Sequence, residues 1–175
     1  MTGANGFVGK NLLVRLAEAG FSDVVALTRT TSDEDFAAAL GSAEAIFHLA
    51  GANRPDDAAE FAAVNRDLVG RICDAIAAGG AAPLFVHAGS AKAGEPGPYG
   101  ESKLAGEQIL AQRAAEVGFA AAIYRLPNIF GKWARPNYNS AVATFCHNVA
   151  RGLPIRIDDP ASPVALIYID DLLDQ

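Results

Sequence analysis

Thr2-Gly3-Ala4-Asn5-Gly6-Phe7-Val8-Gly9 sets three glycines at intervals of three directly ahead of an amphipathic segment, and this stretch decides the fold. Gly3 permits a tight turn, Gly6 lets the backbone approach a pyrophosphate, and Gly9 lets the following helix pack closely on its neighbours. The helix N-terminus then offers unpaired N–H groups and the positive end of its dipole to a phosphate. Together with Thr2, Asn5, Phe7 and Val8, the glycines form a candidate dinucleotide-binding loop. The helix they open runs from about Phe7 to Ala19 and stops at Gly20.

Working outward, aliphatic runs recur at Val24–Leu27, Ala45–Leu49, Leu84–His87, Ala121–Leu126 and Val164–Ile169, separated by helical stretches. Phe61, Val64, Leu68, Ile72 and Ile76 recur every three or four residues as one apolar stripe, which Gly79 and Gly80 end. Ser32 with Asp35 three residues on has the pattern of a capping box for a further short helix. Alternating strands and helices behind such a loop predict an α/β protein, a Rossmann-type doubly wound parallel sheet. Residues 1–126 are expected to form the dinucleotide-binding core, and 127–175 part of a substrate-binding lobe of the same domain.

Composition narrows the function. The 175 residues are about half apolar, enough for one sizeable core. A net charge of −6 gives no electrostatic footprint for nucleic acid or an anionic membrane. No apolar run reaches the roughly 18 residues of a spanning helix, and no signal peptide opens the chain, so a cytoplasmic protein is expected. Cys73 and Cys146 lack CxxC spacing and are expected to be buried free thiols in a reducing compartment. His48, His87 and His147 form no metal-ligand spacing and read as structural; no metal is expected.

At the end of the second apolar run, where an NAD-binding protein tends to carry an acidic residue, stands Thr28-Arg29-Thr30. A guanidinium there matches a 2′-phosphate, favouring NADP(H) with NAD(H) as the alternative. Leu49-Ala50-Gly51 would bring small groups close to a cofactor ribose. Tyr99-Gly100-Glu101-Ser102-Lys103 places a phenol and an ammonium on one helix face. A phenol ionises near pH ~10, and a neighbouring cation favours its phenolate. Lys103 would also hydrogen-bond the nicotinamide ribose. Ser90, nine residues earlier at a strand end, would hydrogen-bond a substrate carbonyl while Tyr99 protonates the developing alkoxide.

These elements, with Asn65 in the preceding helix and Tyr168-Ile169-Asp170 near the end, resemble the extended short-chain dehydrogenase/reductase (NAD-dependent epimerase/dehydratase) family over essentially the whole chain. A narrower resemblance lies in three segments. They are His48-Leu-Ala-Gly-Ala-Asn-Arg-Pro55, Tyr99-Gly-Glu-Ser-Lys-Leu-Ala-Gly-Glu-Gln-Ile-Leu110 and Tyr124-Arg-Leu-Pro-Asn-Ile-Phe-Gly-Lys-Trp-Ala-Arg-Pro-Asn-Tyr-Asn-Ser140, similar to the CapF/WbjC-type capsule enzymes. That resemblance implies NADPH-dependent reduction of a 4-keto-6-deoxy UDP-N-acetylhexosamine to UDP-2-acetamido-2,6-dideoxy-L-talose, on the route to UDP-N-acetyl-L-fucosamine for surface polysaccharide. It also implies Asn65 and Pro127 at the cofactor site, and a homodimer for the full-length protein. For the sugar nucleotide, Asn128, Lys132, Arg135 and Asn137 offer polar contacts, and Trp133 or Tyr138 a stacking face.

Two departures from the family pattern shape further expectations. The cofactor loop of the family follows a buried first strand, yet Met1 stands directly before Thr2. Losing about four inward side chains at roughly 1.5–3 kcal/mol each is a deficit on the order of 6–12 kcal/mol. A whole domain has only about 5–15 kcal/mol, so the chain reads as a fragment or as starting several residues late. At the other end it stops at Gln175, where family members continue the substrate lobe and CapF-type enzymes add a cupin domain. Two other functions fit the motifs: an NAD-dependent nucleotide-sugar 4-epimerase or dehydratase, against which Arg29 argues, and a non-catalytic NADP(H)-binding regulator, against which the intact Ser90, Tyr99 and Lys103 argue.

Overall fold

Met1 and Thr2 lie at the first-strand position. In the computed structural model, which describes residues 1–175, the Met1 ammonium donates to Val25 O at 2.7 Å and Leu27 N to Met1 O at 2.8 Å. On the other side Thr2 N donates to Phe47 O at 3.0 Å, and Leu49 N to Thr2 O at 3.3 Å. Thr2 thus bridges Leu27 and His48 in parallel. Of the strand expected over Val24–Leu27, Leu27 takes part in a β-bridge and Val25 O accepts from Met1 N.

The elements follow in chain order: α1 (Phe7–Glu18), α2 (Asp33–Gly41), β1 (Ala45–His48), α3 (Ala59–Ala62), a π-helical turn (Ala63–Asp67), α4 (Leu68–Gly79), β2 (Leu84–Ser90), α5 (Pro98–Val117), β3 (Ala120–Leu126), β4 (Asn128–Phe130), α6 (Ala141–Val149), β5 (Leu166–Tyr168) and α7 (Ile169–Leu173). β1, β2 and β3 form a parallel sheet in that order, with His48 opposite His87 and Gly89 opposite Arg125. With the Thr2 bridges, the sheet reads Leu27–Thr2–β1–β2–β3, an open parallel arrangement of the doubly wound kind.

Side chains alternate across this sheet. Ile46 and Phe85 face α4 and α5, joining Val69, Ile72, Cys73, Ile76, Leu110 and Phe119 in the main core. Phe47 and Leu49 face the other way, toward Met1, Ala4 and Leu12 of the loop and α1. Each fully buried aliphatic side chain contributes about 1.5–3 kcal/mol, so the α4/α5 face carries most of the stabilisation. Of the expected capping box only the N-cap half forms: Ser32 Oγ accepts from Asp35 N at 3.1 Å, while Asp35 Oδ2 accepts from the Ser32 hydroxyl at 2.7 Å and not from its backbone N–H. Gly80, at φ 74°, closes α4 in the left-handed conformation.

The C-terminal segment differs from its sequence reading. The strand expected over Val164–Ile169 is Leu166–Tyr168, and it pairs with β4 in a separate two-stranded sheet. Ile169 starts α7, because Asp170 and Asp171 suit a first helical turn. β4 falls in a stretch where no strand was expected. Cys146 is exposed on α6, a helix with no fully buried residue, whereas Cys73 is buried as expected. No helix is long and apolar enough to cross a membrane.

Candidate active site

The glycine loop is built for close approach. Gly3 sits at φ 70°, and a Cβ there would lie 2.6 Å from Ala50 N, so the loop rests directly on the chain leaving β1. A Cβ on Gly9 would meet Gly3 O at 2.3 Å, which holds the start of α1 against the turn. Gly6 is the α1 N-cap and supplies no side-chain hydrogen bond, and the first turn has no acidic residue. The opening amides of α1, at Phe7, Val8 and Gly9, therefore stay available to an anion. Asn5 and Gly6 are exposed at the mouth of this cradle, and Phe7 and Val8 half-buried beside it. Thr2 anchors it from below, its hydroxyl 2.7 Å from His48 Nδ1. An uncapped helix start with the backbone laid bare fits a dinucleotide pyrophosphate.

Arg29 is exposed beyond Leu27, beside a cluster of hydroxyls in which Thr28 Oγ1 lies 3.0 Å from Thr30 Oγ1. Arg29 makes no ion pair or side-chain hydrogen bond of its own. Leu49 and Ala50 are half-buried and Gly51 exposed, and a Cβ on Gly51 would lie 3.5 Å from Lys103 Nζ and 3.4 Å from Asn65 Oδ1. The small residues after β1 thus end over the lysine.

Lys103 is 6% exposed, and its ammonium donates to Ala88 O at 2.9 Å. Burial pushes its pKa down to about 8, partly opposed by the nearby charge of Glu107. Tyr99, one turn earlier on α5, is half-buried with its ring 6.0 Å from that of Phe61, edge to face. Ser90 ends β2 on the same strand that takes the lysine hydrogen bond. Its Oγ accepts from Lys92 N at 3.1 Å, which leaves the hydroxyl proton free for another acceptor. Asn65 ties these pieces together from within the π-helical turn. It accepts from Ala52 N at 2.9 Å, donates to Ala52 O at 3.0 Å, and donates to Ser102 Oγ at 3.1 Å. Ser102 in turn donates to Tyr99 O at 2.8 Å. The π turn, with one extra residue in the helix, is what brings this amide between the loop after β1 and α5.

His48 and His87 stack beneath, 5.2 Å apart, and both are buried. Burial holds His48 far below the usual imidazole range and His87 at about 4, so both are neutral. No cluster of His, Cys, Asp or Glu has the arrangement of a metal site.

The residues expected at a sugar nucleotide are less gathered. Pro127 joins β3 to β4 and is half-buried, and Asn128 Nδ2 reaches Ala165 O at 3.4 Å. Lys132 is ion-paired with Asp170 at 2.8 Å, and its carbonyl accepts from Asn11 of α1 at 2.9 Å. Trp133 is exposed with φ 65°, beside Lys132 in a cleft shared with α1 and α7. Arg135 lies over the Tyr138 ring at 5.3 Å, and Asn137, at φ 55°, donates its amide to Thr144 Oγ1. Sequence reading overlooked Glu107, Arg125 and Ser102; the signal for Glu107 was its place four residues past Lys103 on the same buried helix face.

A parallel sheet with a glycine-lined helix start over its strand ends defines the dinucleotide-binding class of α/β proteins. The chain belongs to the NAD dependent epimerase/dehydratase family, whose model matches residues 1–174. It is 46% identical over 173 residues to the UDP-2-acetamido-2,6-beta-L-arabino-hexul-4-ose reductase of Pseudomonas aeruginosa strain PA103, covering 99% of this chain and 46% of that protein. It is similar in structure to the capsular polysaccharide assembling protein CapF of Staphylococcus aureus, with a TM-score of 0.84, 38% identity, and coverage of 99% of this chain and 46% of that one. The UDP-glucuronic acid 4-epimerase of Bacillus cereus, solved with NAD, shares the fold at a TM-score of 0.84 and 19% identity over 98% of this chain and 68% of that one. The chain spans about half the length of the curated relatives it matches.

Proposed function

We propose that the chain is the reductase part of an NADPH-dependent enzyme acting on a 4-keto-6-deoxy UDP-N-acetylhexosamine, giving UDP-2-acetamido-2,6-dideoxy-L-talose for surface polysaccharide. The observation that carries this reading is the buried Lys103, held on β2 under Gly51, with Tyr99 one turn away and Ser90 two residues beyond the carbonyl that fixes it. Likeness to the Pseudomonas reductase supports the choice of substrate.

In this reading Thr2, Gly3, Asn5, Gly6, Phe7, Val8 and Gly9 receive the pyrophosphate and Arg29 the 2′-phosphate. Leu49, Ala50, Gly51, Asn65 and Pro127 line the rest of the cofactor cleft. A bound reduced nicotinamide supplies a hydride. Ser90 hydrogen-bonds the sugar carbonyl oxygen through its hydroxyl and keeps its proton, and Tyr99 transfers the one proton that turns that oxygen into an alcohol. Lys103 keeps positive charge beside the phenol and holds the cofactor ribose. Residues 1–126 serve the cofactor and 127–175 the sugar nucleotide, through Asn128, Lys132, Trp133, Arg135 and Asn137. The working enzyme in this proposal is a cytoplasmic homodimer.

The test is to supply the 4-keto UDP-sugar and NADPH and follow the loss of nicotinamide absorbance. Turnover is expected, and Tyr99→Phe is expected to lower it at least about 10²-fold, the usual contribution of a positioned acid, with NADPH affinity nearly unchanged. Unaltered turnover in that variant would refute the role of Tyr99. Tight NADPH binding without any turnover would favour a regulator.

A further inference from the structure

Two residues of α5 grip the strand end that leads to Ser90. Lys103 Nζ donates to Ala88 O at 2.9 Å, and one turn later Glu107 lies over Gly89 so closely that a Cβ there would be 2.6 Å from Oε1. Glu107 is 5% exposed. Its Oε2 accepts from Arg125 Nε at 2.9 Å and Nη2 at 2.7 Å, and Arg125 is the β3 residue in register with Gly89. Its Oε1 is buried without a hydrogen-bond partner on the side facing Gly89. A buried carboxylate with one oxygen unpaired is costly for a purely structural ion pair, since an apolar pair of similar volume would serve as well.

The surroundings of Lys103 say what the carboxylate is for. From β1 and β2 the lysine is faced by His48 and His87, both neutral in the fold. The π-helical turn presents the neutral amide of Asn65, and the chain after β1 presents Gly51. On α5 itself Tyr99 precedes it by one turn. Arg125 on β3 lies beyond Glu107 and is half exposed. Glu107, one turn on along α5, is therefore the one carboxylate whose charge acts on the buried ammonium. We infer that Glu107 is a positioning residue of the proposed reductase site, keeping Lys103 in its ammonium form and, through Gly89, setting the strand end that carries Ser90. This rests on the reductase reading for its catalytic consequence, while its electrostatic part does not.

The chain has four lysines, Lys10, Lys92, Lys103 and Lys132, so ¹³Cε-lysine NMR can follow Lys103 through a pH titration, with Lys103→Arg assigning its signal. In Glu107→Gln the Lys103 midpoint is expected to fall by about one pH unit, and in Glu107→Asp to stay within about half a unit of the parent. An unmoved midpoint in the folded Gln variant overturns the inference, because a merely structural residue would change stability alone. If the Gln variant does not fold, Glu107→Met removes the same charge, with the half-exposed Arg125 free to turn to solvent, and is read the same way. In the reductase assay, a midpoint near 7 in place of 8 predicts turnover about fivefold lower at pH 8 and nearly equal at pH 6. An inactive parent enzyme would sink the reductase reading, and the lysine titration would still decide the role of Glu107.

Discussion

Single side chains act here through what surrounds them. Lys103 on an exposed helix face would be an ordinary surface cation; packed on β2 it loses its hydration, and its proton becomes exchangeable near pH 8. Ser90 has its oxygen occupied by Lys92 N and its proton uncommitted, the state a donor to a developing oxyanion requires. Arg29 has no partner within the chain and keeps its guanidinium for a ligand. Replacing it by Ala is expected to weaken NADPH binding roughly 10–100-fold, the worth of a charge-assisted contact. NADH binding should change less than about twofold. Isothermal titration with both cofactors checks this, and equal losses would remove the case for NADP(H).

Elements set the distances between these groups, and small residues decide how near the elements come. α5 lies on the π-helical turn so tightly that a Cβ on Gly106 would be 2.2 Å from Asn65 O. Since that backbone cannot move without shifting the Asn65 clamp on Ala52 and Ser102, Gly106→Ala is expected to cost about 1–3 kcal/mol. A lower urea midpoint with an unchanged slope would show it. The same crowding explains what was legible at this scale. The Phe61 to Ile76 stripe marked a helix, and the helix formed. Its π turn at Asn65 was not legible, because the three- and four-residue spacings of the stripe fit an uninterrupted helix equally well. β4 was obscured, and β5 shorter than its expected run, for a different reason. Three-residue strands that pair only with each other are set by contact rather than by alternation.

Over the whole molecule, the buried polar row from Thr2 through His48, His87 and Lys103 to Glu107 makes stability depend on pH. His48 and His87 bind protons more readily in the unfolded chain than in the folded one, so both favour unfolding as pH falls below the unfolded imidazole value near 6.5. For His87, with a folded value of about 4, the loss between neutrality and pH 4 is about 3 kcal/mol. Thermal unfolding is expected at a clearly lower temperature at pH 4.5 than at pH 7. His87→Gln should reduce that difference; an equal drop in the variant would place the acid sensitivity elsewhere.

The sequence by itself determined the parallel α/β class, the glycine loop before α1 and the candidate pairing of Tyr99 with Lys103. Each of these is written in local spacing: glycines three apart, a phenol and an ammonium four apart, and strands followed by helices. Tertiary structure alone decided that Thr2 lies between Leu27 and His48, and that Glu107 reaches Gly89 beside Arg125. Those outcomes depend on how closely packed faces meet, and residues 18 to 46 positions apart have no local pattern that records it.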